Sequence, residues 1–284
     1  MKSGLILEGG GVRGAFIAGV LDVFIEEGLS FDYACGVSAG ASALSNFISG
    51  QQGRTKEGLI SKEGLSYYGI KEFFRSGQYM NLDKLYGKDM FTKEPVFDID
   101  KYFSNPTEVE VVATNCTTGK AEYLRDDKTV DSYCQVFKAT CSLPIICKPC
   151  KIGENFYMDG SISDPIPIDH AMQKGCEKII FLSTKGEGDK PSNLKKYIWF
   201  MKIIYPSSFK PLFEAIKVRI PLLEGQYKHA AELGDEGKVL TICPSGKNSV
   251  SHMDRNMEKI EDLYEEGRET AKRMMPQVRE FIGQ

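Results

Sequence analysis

The first fifty residues switch between two apolar rhythms. "GLIL" at 4–7 is a short unbroken apolar run ending in "EGGG", the pattern of a strand buried on both faces and stopped by glycine. From Gly14 the spacing changes: Phe16, Ile17, Val20, Leu21 and Phe24 recur at helical intervals, and Gly28 ends the helix. "FDYACG" (31–36) returns to a short strand, and "AGASALSNFISGQ" (39–51) reads as a helix of small residues. Strand, helix, strand, helix predicts a parallel sheet covered by helices.

Residues 51–107 are polar, rich in Gly and Tyr and weakly periodic, which predicts an insertion of short helices and loops. The strand pattern resumes at "EVEVVATN" (108–115) and "AEYLR" (121–125). "TVDSYCQVFKATCS" (129–142) is helical, and "ENFYMDG" (154–160) is a strand ending in a turn. "DPIPIDHAMQKG" (164–175) has prolines near a helix start and Gly175 at its stop. Two more strands, "CEKIIFLST" (176–184) and "KVLTICP" (238–244), precede an amphipathic helix over 255–282. With no internal repeat and no long linker, one α/β domain with an inserted region is expected.

The chain has 284 residues, with 36 basic against 39 acidic side chains, a balance that argues against a nucleic-acid partner. No apolar run approaches the roughly 18 residues of a spanning helix. "MKSGLILEGGG" carries a single Lys and only a short apolar stretch before Glu8, unlike a signal peptide, so a cytoplasmic protein is expected. In that setting the eight cysteines are expected to be reduced. Cys147 and Cys150 form a C-x-x-C, but Cys134 and Cys141 are spaced too loosely to close a zinc site, so neither metal nor cofactor is expected. The segment 190–228 departs from the average, with eight basic residues (190, 195, 196, 202, 210, 217, 219 and 228) against Glu214 and Glu224. The sole Trp, Trp199, lies there between Tyr197, Ile198 and Phe200. Such a mixture suits peripheral contact with an anionic membrane; the plainer alternative is a helical pair whose lysines face water.

Three stretches carry candidate chemistry. "GVSAG" puts Ser38 between Gly36 and Gly40, where a nucleophile on a sharp strand-to-helix turn needs residues without Cβ atoms; alternatively it is only a glycine-rich turn. Ser38, Asp164 and His252 have the chain order of an α/β-hydrolase triad, but that fold places several strands before its elbow and here one precedes it. His170, His229 and His252 lie in plain helical or loop contexts and are expected to be solvated or structural.

Gly9-x-Gly11-x-x-Gly14 follows a strand and opens a helix, so it literally matches the dinucleotide fingerprint, and a nucleotide-binding protein is the alternative function. Against this, the second strand ends in Cys35–Gly36 rather than an acid, and Asp32 sits at its start. The same loop could present the amides of Gly9, Gly10 and Gly11 to an oxyanion, with Arg13 adding positive charge. Asp159, followed by Gly160, is the candidate base, unless it is only a D-G turn. Phe156, Tyr157, Met158 and "SLPII" (142–146) would desolvate it and raise its basicity. All three stretches end strands, which predicts a shared site at the carboxyl edge of the sheet.

"EGGGVRG", "GVSAGA" and "DGS", in that order, together with "VVATNCTTGKAEY", "ATCSLPII" and "SDPIPI", closely resemble the patatin-like phospholipases over residues 3 to about 185. The tail from "FKPLFEAIKVR" to "YEEGRETAK" is similar to the bacterial branch of that family. The resemblance implies a three-layer α/β/α sandwich with a mainly parallel central sheet, a catalytic core at 1–185 and a C-terminal part of the same domain at 186–284. It implies a lipid acyl hydrolase with a lipid or acyl-ester substrate and no catalytic histidine. By the same resemblance Ser38 matches the nucleophile, Asp159 the base, Gly9, Gly10 and Gly11 the oxyanion loop, and Arg13 that loop's basic residue, with Gly14, Gly36, Gly40 and Gly160 as motif glycines. The third motif usually reads D-G-G or D-G-A; Ser161 here could hydrogen-bond Asp159 and lower its basicity. A scaffold that kept these turns but lost catalysis is a further alternative.

Overall fold

The apolar run at the N-terminus lies at the centre of a sheet in the computed structural model, which describes residues 1–60, 69–186, 188–189, 191–248 and 250–284. In chain order the elements are β1 (Ser3–Leu7), α1 (Gly14–Glu26), β2 (Tyr33–Gly36), α2 (Ala39–Ile48), α3 (Arg54–Ile60), α4 (Ile70–Ser76), α5 (Leu82–Leu85), α6 (Lys88–Thr92) and α7 (Ile99–Ser104). There follow β3 (Glu108–Asn115), β4 (Ala121–Leu124), α8 (Val130–Cys141), β5 (Cys150–Ile152), β6 (Asn155–Asp159), α9 (Ile168–Gln173) and β7 (Lys178–Leu182). The chain closes with α10 (Ile198–Ile204), α11 (Lys210–Asp235), β8 (Val239–Ile242) and α12 (Met257–Ile282).

The sheet order is β5-β6-β3-β2-β1-β7-β8, with β4 on the other flank of β3. β1 pairs in parallel with β2 and β7 and is buried along its whole length, which is why its sequence is continuously apolar rather than alternating. Its side chains still divide by parity. Leu5 and Leu7 pack with α1, α2, α8 and α12, whereas Ile6 faces α9 and α11, giving a helical layer on each face. Among its described residues the 51–107 insertion consists of the short helices α3 to α7 and their loops; residues 61–68 lie outside the described set. The stretch after residue 186 adds β8 to the same sheet, through parallel pairing with β7.

One register decides where the site forms. Val111 of β3 is flanked by Gly36 of β2 on one side and Leu124 of β4 on the other, while Ala113 is flanked by Glu122 of β4 and Asp159 of β6. β6 therefore takes over the flank of β3 that β2 vacates. It runs antiparallel to β3, which corrects the expectation that Asp159 ends a strand at the common carboxyl edge. The carboxyl ends of β2 and β6 instead approach each other head-on.

The basic segment also needs correction. Arg219 is buried on the inner face of α11, Lys217 pairs with Glu214, and Lys228 pairs with Glu232, so 190–228 is not one continuous basic surface. Lys190 lies outside the described residues.

Helices α1 and α12 cross at backbone contact: a Cβ on Gly19 would stand 2.0 Å from the carbonyl oxygen of Tyr264, and one on Gly267 would stand 2.2 Å from that of Phe16. Gly19→Ala is therefore expected to lower stability by about 2 kcal/mol or more through overpacking. Gly225→Ala, on the exposed face of α11 where a Cβ meets nothing, is expected to be neutral or stabilising by up to about 1 kcal/mol. Urea midpoints at unchanged slope would measure both.

Candidate active site

Ser38 occupies the joint between β2 and α2 with φ 52° and ψ −122°, a conformation that side-chain-bearing residues rarely adopt. Its neighbours explain how the joint holds. A Cβ on Gly36 would lie 2.6 Å from Cα of Ala41, and one on Gly40 would lie 2.5 Å from the carbonyl oxygen of Glu8, so turn, helix and β1 close only around bare backbone. The Ser38 N–H donates to Thr140 Oγ1 of α8 at 3.0 Å. This strain is held by packing on all sides, a common property of functional turns.

Asp159 is fully buried. Its Oδ1 accepts the Ser161 N–H at 2.9 Å, whereas Oδ2 accepts no hydrogen bond of ordinary length and angle among the described residues. Its own N–H donates to the Ser142 carbonyl at 2.9 Å, and its carbonyl accepts from Thr114 Oγ1 at 2.8 Å. Burial pushes the carboxyl pKa up, opposed by the nearby Ser38 hydroxyl, by the Ser161 N–H and hydroxyl, and by the charge of Arg219. Ser161 thus acts in the anticipated direction, but burial outweighs it. Gly160 is obligatory here, because a Cβ would meet the Val112 carbonyl oxygen at 2.2 Å.

The glycine loop leans on the same turn. A Cβ on Gly9 would be 3.0 Å from Ser38 Cβ, one on Gly10 would be 2.5 Å from Thr184 Oγ1, and one on Gly11 (φ +58°) would be 2.3 Å from the His252 carbonyl oxygen. At the start of α1, a Cβ on Gly14 would press on Ala39 at 3.3 Å. Among the described residues, the N–H groups of Gly9, Gly10 and Gly11 donate to no protein acceptor. Arg13 does not serve the loop as expected. Its Nε donates to the Val250 carbonyl at 2.6 Å and its guanidinium pairs with Asp189 at 3.2 Å, so its charge is spent on bracing neighbouring loops.

Beneath the loop lies a network that pattern reading missed. Buried Glu8 accepts from Tyr227 Oη, from Ser183 Oγ at 2.7 Å and from the Thr184 N–H at 2.8 Å, while Thr184 Oγ1 donates to the Gly9 carbonyl at 2.9 Å. Arg219 Nε donates to the Ser161 carbonyl at 2.7 Å, two residues beyond Asp159. Both Arg219 and Tyr227 come from α11. A charge at the end of an apolar strand (Glu8), and an Arg in step with the apolar positions Leu212, Ile216 and Leu223, were the available signals.

A cavity of about 450 Å³ opens beside Ser38. Gly11, Leu59, Tyr86, Met90 and Leu143 contribute to a mostly apolar wall, part of it built by the insertion. His252 also lines it, but burial and the charges of Arg13 and Arg219 push its pKa down to about 4, leaving a neutral ring. The Ser38–Asp164–His252 triad is not assembled, since Asp164 accepts from Tyr123 Oη at 2.7 Å and Gln226 Nε2 at 2.6 Å. His170 stacks on Tyr123 and bonds Glu110, and His229 bonds Asp169. The eight cysteines are free, and no group of potential metal ligands clusters among the described residues. Burial pushes the Cys147 thiol up, and that of Cys150 up to about 11. Of the dinucleotide fingerprint, the Val12 N–H is taken by the His252 carbonyl and Asp32 turns away to Ser3, while the Gly9, Gly10 and Gly11 amides could face an anion of either kind.

A family model for patatin-like phospholipases matches residues 5–172. The chain belongs to the patatin-like phospholipase family. A second family model, for a domain of unknown function (DUF6363), matches 210–283. The chain is 29% identical to the uncharacterized protein YjjU of Escherichia coli, over 63% of this chain and 51% of that one. It is 26% identical to a probable lipid hydrolase, 463L, of Invertebrate iridescent virus 6, over 60% and 63%. The chain thus spans about half to two thirds of these relatives. The crystal structure of VipD from Legionella pneumophila shares the fold with a TM-score of 0.53 and 13% identity, covering 97% of this chain and 67% of that one.

Arg219 places a positive charge behind Asp159, so its loss should raise the carboxyl pKa further. Were Asp159 to serve as a general base it would have to be deprotonated, so Arg219→Met is expected to move the acid limb of a kcat/KM–pH profile for ester hydrolysis to higher pH, with Arg219→Lys intermediate. An unmoved limb with merely lower amplitude would mark a structural role.

Proposed function

We propose that this protein is a lipid acyl hydrolase of the serine esterase or phospholipase A type, cleaving carboxylic esters with a Ser38–Asp159 dyad. The observation that carries the reading is the fully buried Asp159, whose unoccupied carboxylate oxygen and raised basicity are paired with a strained serine across the gap between β2 and β6. Ser38 Oγ attacks the ester carbonyl as Asp159 takes its proton. The amides of Gly9, Gly10 and Gly11, having no protein acceptor among the described residues, stabilise the tetrahedral oxyanion. Collapse expels the alcohol, which leaves with the proton held by Asp159. Water, deprotonated by the same carboxylate, then attacks the acyl-enzyme, and Asp159 returns that proton to Ser38 Oγ as the fatty acid leaves. The proposed steps draw on no metal or cofactor.

The apolar cavity fits an acyl chain, and the family and the viral probable lipid hydrolase support a lipid substrate. Residues 186–284 belong to the same catalytic unit in this reading, because α11 supplies both Arg219 and Tyr227.

Ser38→Ala and Asp159→Asn are expected to lower hydrolysis of a short-chain nitrophenyl ester by about 10³-fold or more. Full activity in either would remove the dyad, and slow turnover by folded wild type would favour a scaffold. Thermal shifts with nucleotides, without esterase activity, would restore the nucleotide-binding alternative. Asp159→Asn should also stabilise. Burial raises the folded pKa above the unfolded one, so the native state holds the proton more tightly and stability falls as pH climbs through that interval. Asn escapes this loss, so its Tm should exceed that of wild type at pH 8 and converge with it near pH 4.

A further inference from the structure

Helix α10 presents an apolar face that stands exposed among the described residues. Trp199 is 66% exposed and Ile203 71%, with Tyr197, Phe200 and Ile204 also exposed beside them. The opposite face is firmly seated: Ile198 and Met201 are buried against Cys116, Met158 and Ile162, so the helix is held by the residues that flank the base Asp159. Patches of this kind on a folded chain mark contact sites.

The charge along the stretch that carries this face has one sign. Residues 191–213 contain no Asp or Glu, and Lys195, Lys196, Lys202 and Lys210 are all exposed. Lys196 Nζ lies 4.8 Å from the centre of the Tyr197 ring. A Trp and Tyr among apolar side chains, rimmed by lysines long enough to reach outward, matches the polarity profile of a lipid headgroup boundary. A second copy docking through the same face would bring two lysine rims together and repel.

A second apolar patch is tied to the same loop. On α4, Phe74 is 83% exposed, with Ile70 and Phe73 beside it. The N–H groups of Tyr79 and Met80, just beyond α4, both donate to the Ile146 carbonyl, while the Ile145 N–H donates to Tyr205 Oη at the end of α10. Leu143 of that loop lines the cavity beside Ser38. Among the described residues no helix is long and apolar enough to cross a membrane, so contact would be by shallow insertion.

We infer that α10 is an interfacial anchor, its Trp199/Ile203 face inserting into the headgroup boundary of an anionic phospholipid bilayer and the α4 patch forming a second foothold. This rests on the hydrolase reading for its purpose but not for its evidence. It narrows the basic segment to α10 and its lysine rim, and it makes apolar insertion the main source of affinity, with charge assisting.

Trp199 is the only tryptophan, so the wild-type chain reports on itself. Adding phosphatidylglycerol vesicles should shift its emission to the blue and expose it to quenching by brominated lipid, with a weaker response to phosphatidylcholine. Ile203→Asp should reduce vesicle partitioning roughly tenfold with the reporter intact, and Trp199→Ala should do the same in flotation. Both variants should keep wild-type turnover of a water-soluble nitrophenyl ester and lose turnover of vesicle phospholipid. Unchanged emission, equal partitioning of Ile203→Asp, or a blue shift that tracks protein concentration and dimer formation without lipid would overturn the inference. Vesicle binding through α10 with no Ser38-dependent hydrolysis of either substrate would support the anchor while removing the hydrolase reading. Ser38-dependent ester cleavage with α10 variants fully active on vesicles would do the reverse.

Discussion

The site depends on one flank of β3 being shared by two strands that run toward each other. β2 pairs with the first half of β3 and then leaves it at Gly36; β6 pairs with the second half and stops at Asp159. The two chain ends are separated by little more than the step from Val111 to Ala113, so a serine turn on one and an acidic turn on the other have to meet. A parallel β6 would have carried its carboxyl end away from Ser38. The polypeptide direction of one short strand therefore matters more to the chemistry than the identity of most residues in it.

Helix α11 fixes the two halves of that meeting relative to each other. Through Arg219 it holds the carbonyl of Ser161, two residues beyond Asp159, and through Tyr227 it holds Glu8 beneath the glycine loop. The electrostatics at Asp159 is a balance of opposed effects. Full burial favours the protonated acid, while Arg219, Ser161 and Ser38 favour the carboxylate, and burial is the larger. The outcome is a carboxylate more basic than an exposed one, the direction the proposed base needs. The neutral His252 in the cavity wall accepts the Val12 N–H on its backbone carbonyl, which also leaves no room for a Cβ on Gly11.

What could be read from the chain was whatever steric exclusion writes locally. Gly9, Gly36, Gly40 and Gly160 mark places where any Cβ would strike backbone or the Ser38 turn, and such demands leave residues at fixed spacing. The strand and helix rhythms were legible for the same reason. The direction of β6 was not, although "KIGEN" held the clue: Gly153 adopts φ +58° in a tight turn joining β6 to the three-residue β5. Arg13 and Arg219 were misjudged because counting charges says nothing of where a side chain points. Arg13 turned to Asp189 and Val250, and Arg219 follows the buried stripe of α11 into the interior.

The arrangement also explains why the C-terminal region resists being treated as an appendage. If α11 only covered the sheet, an apolar residue at 219 would serve better, since burying a guanidinium is costly unless it is paired and bonded. Here the cation accepts that cost with bonds to the Ser161 and Ser192 carbonyls, and its charge opposes the desolvation of Asp159. Asp159 in turn favours the charged form of the arginine, against the burial that lowers its pKa. Each buried ion makes the other tolerable, and the serine turn sits at the open end of the pair. A fold optimised for stability alone would hold neither charge, so a buried pair joined across 60 residues of sequence is what the proposed chemistry, rather than packing, would call for.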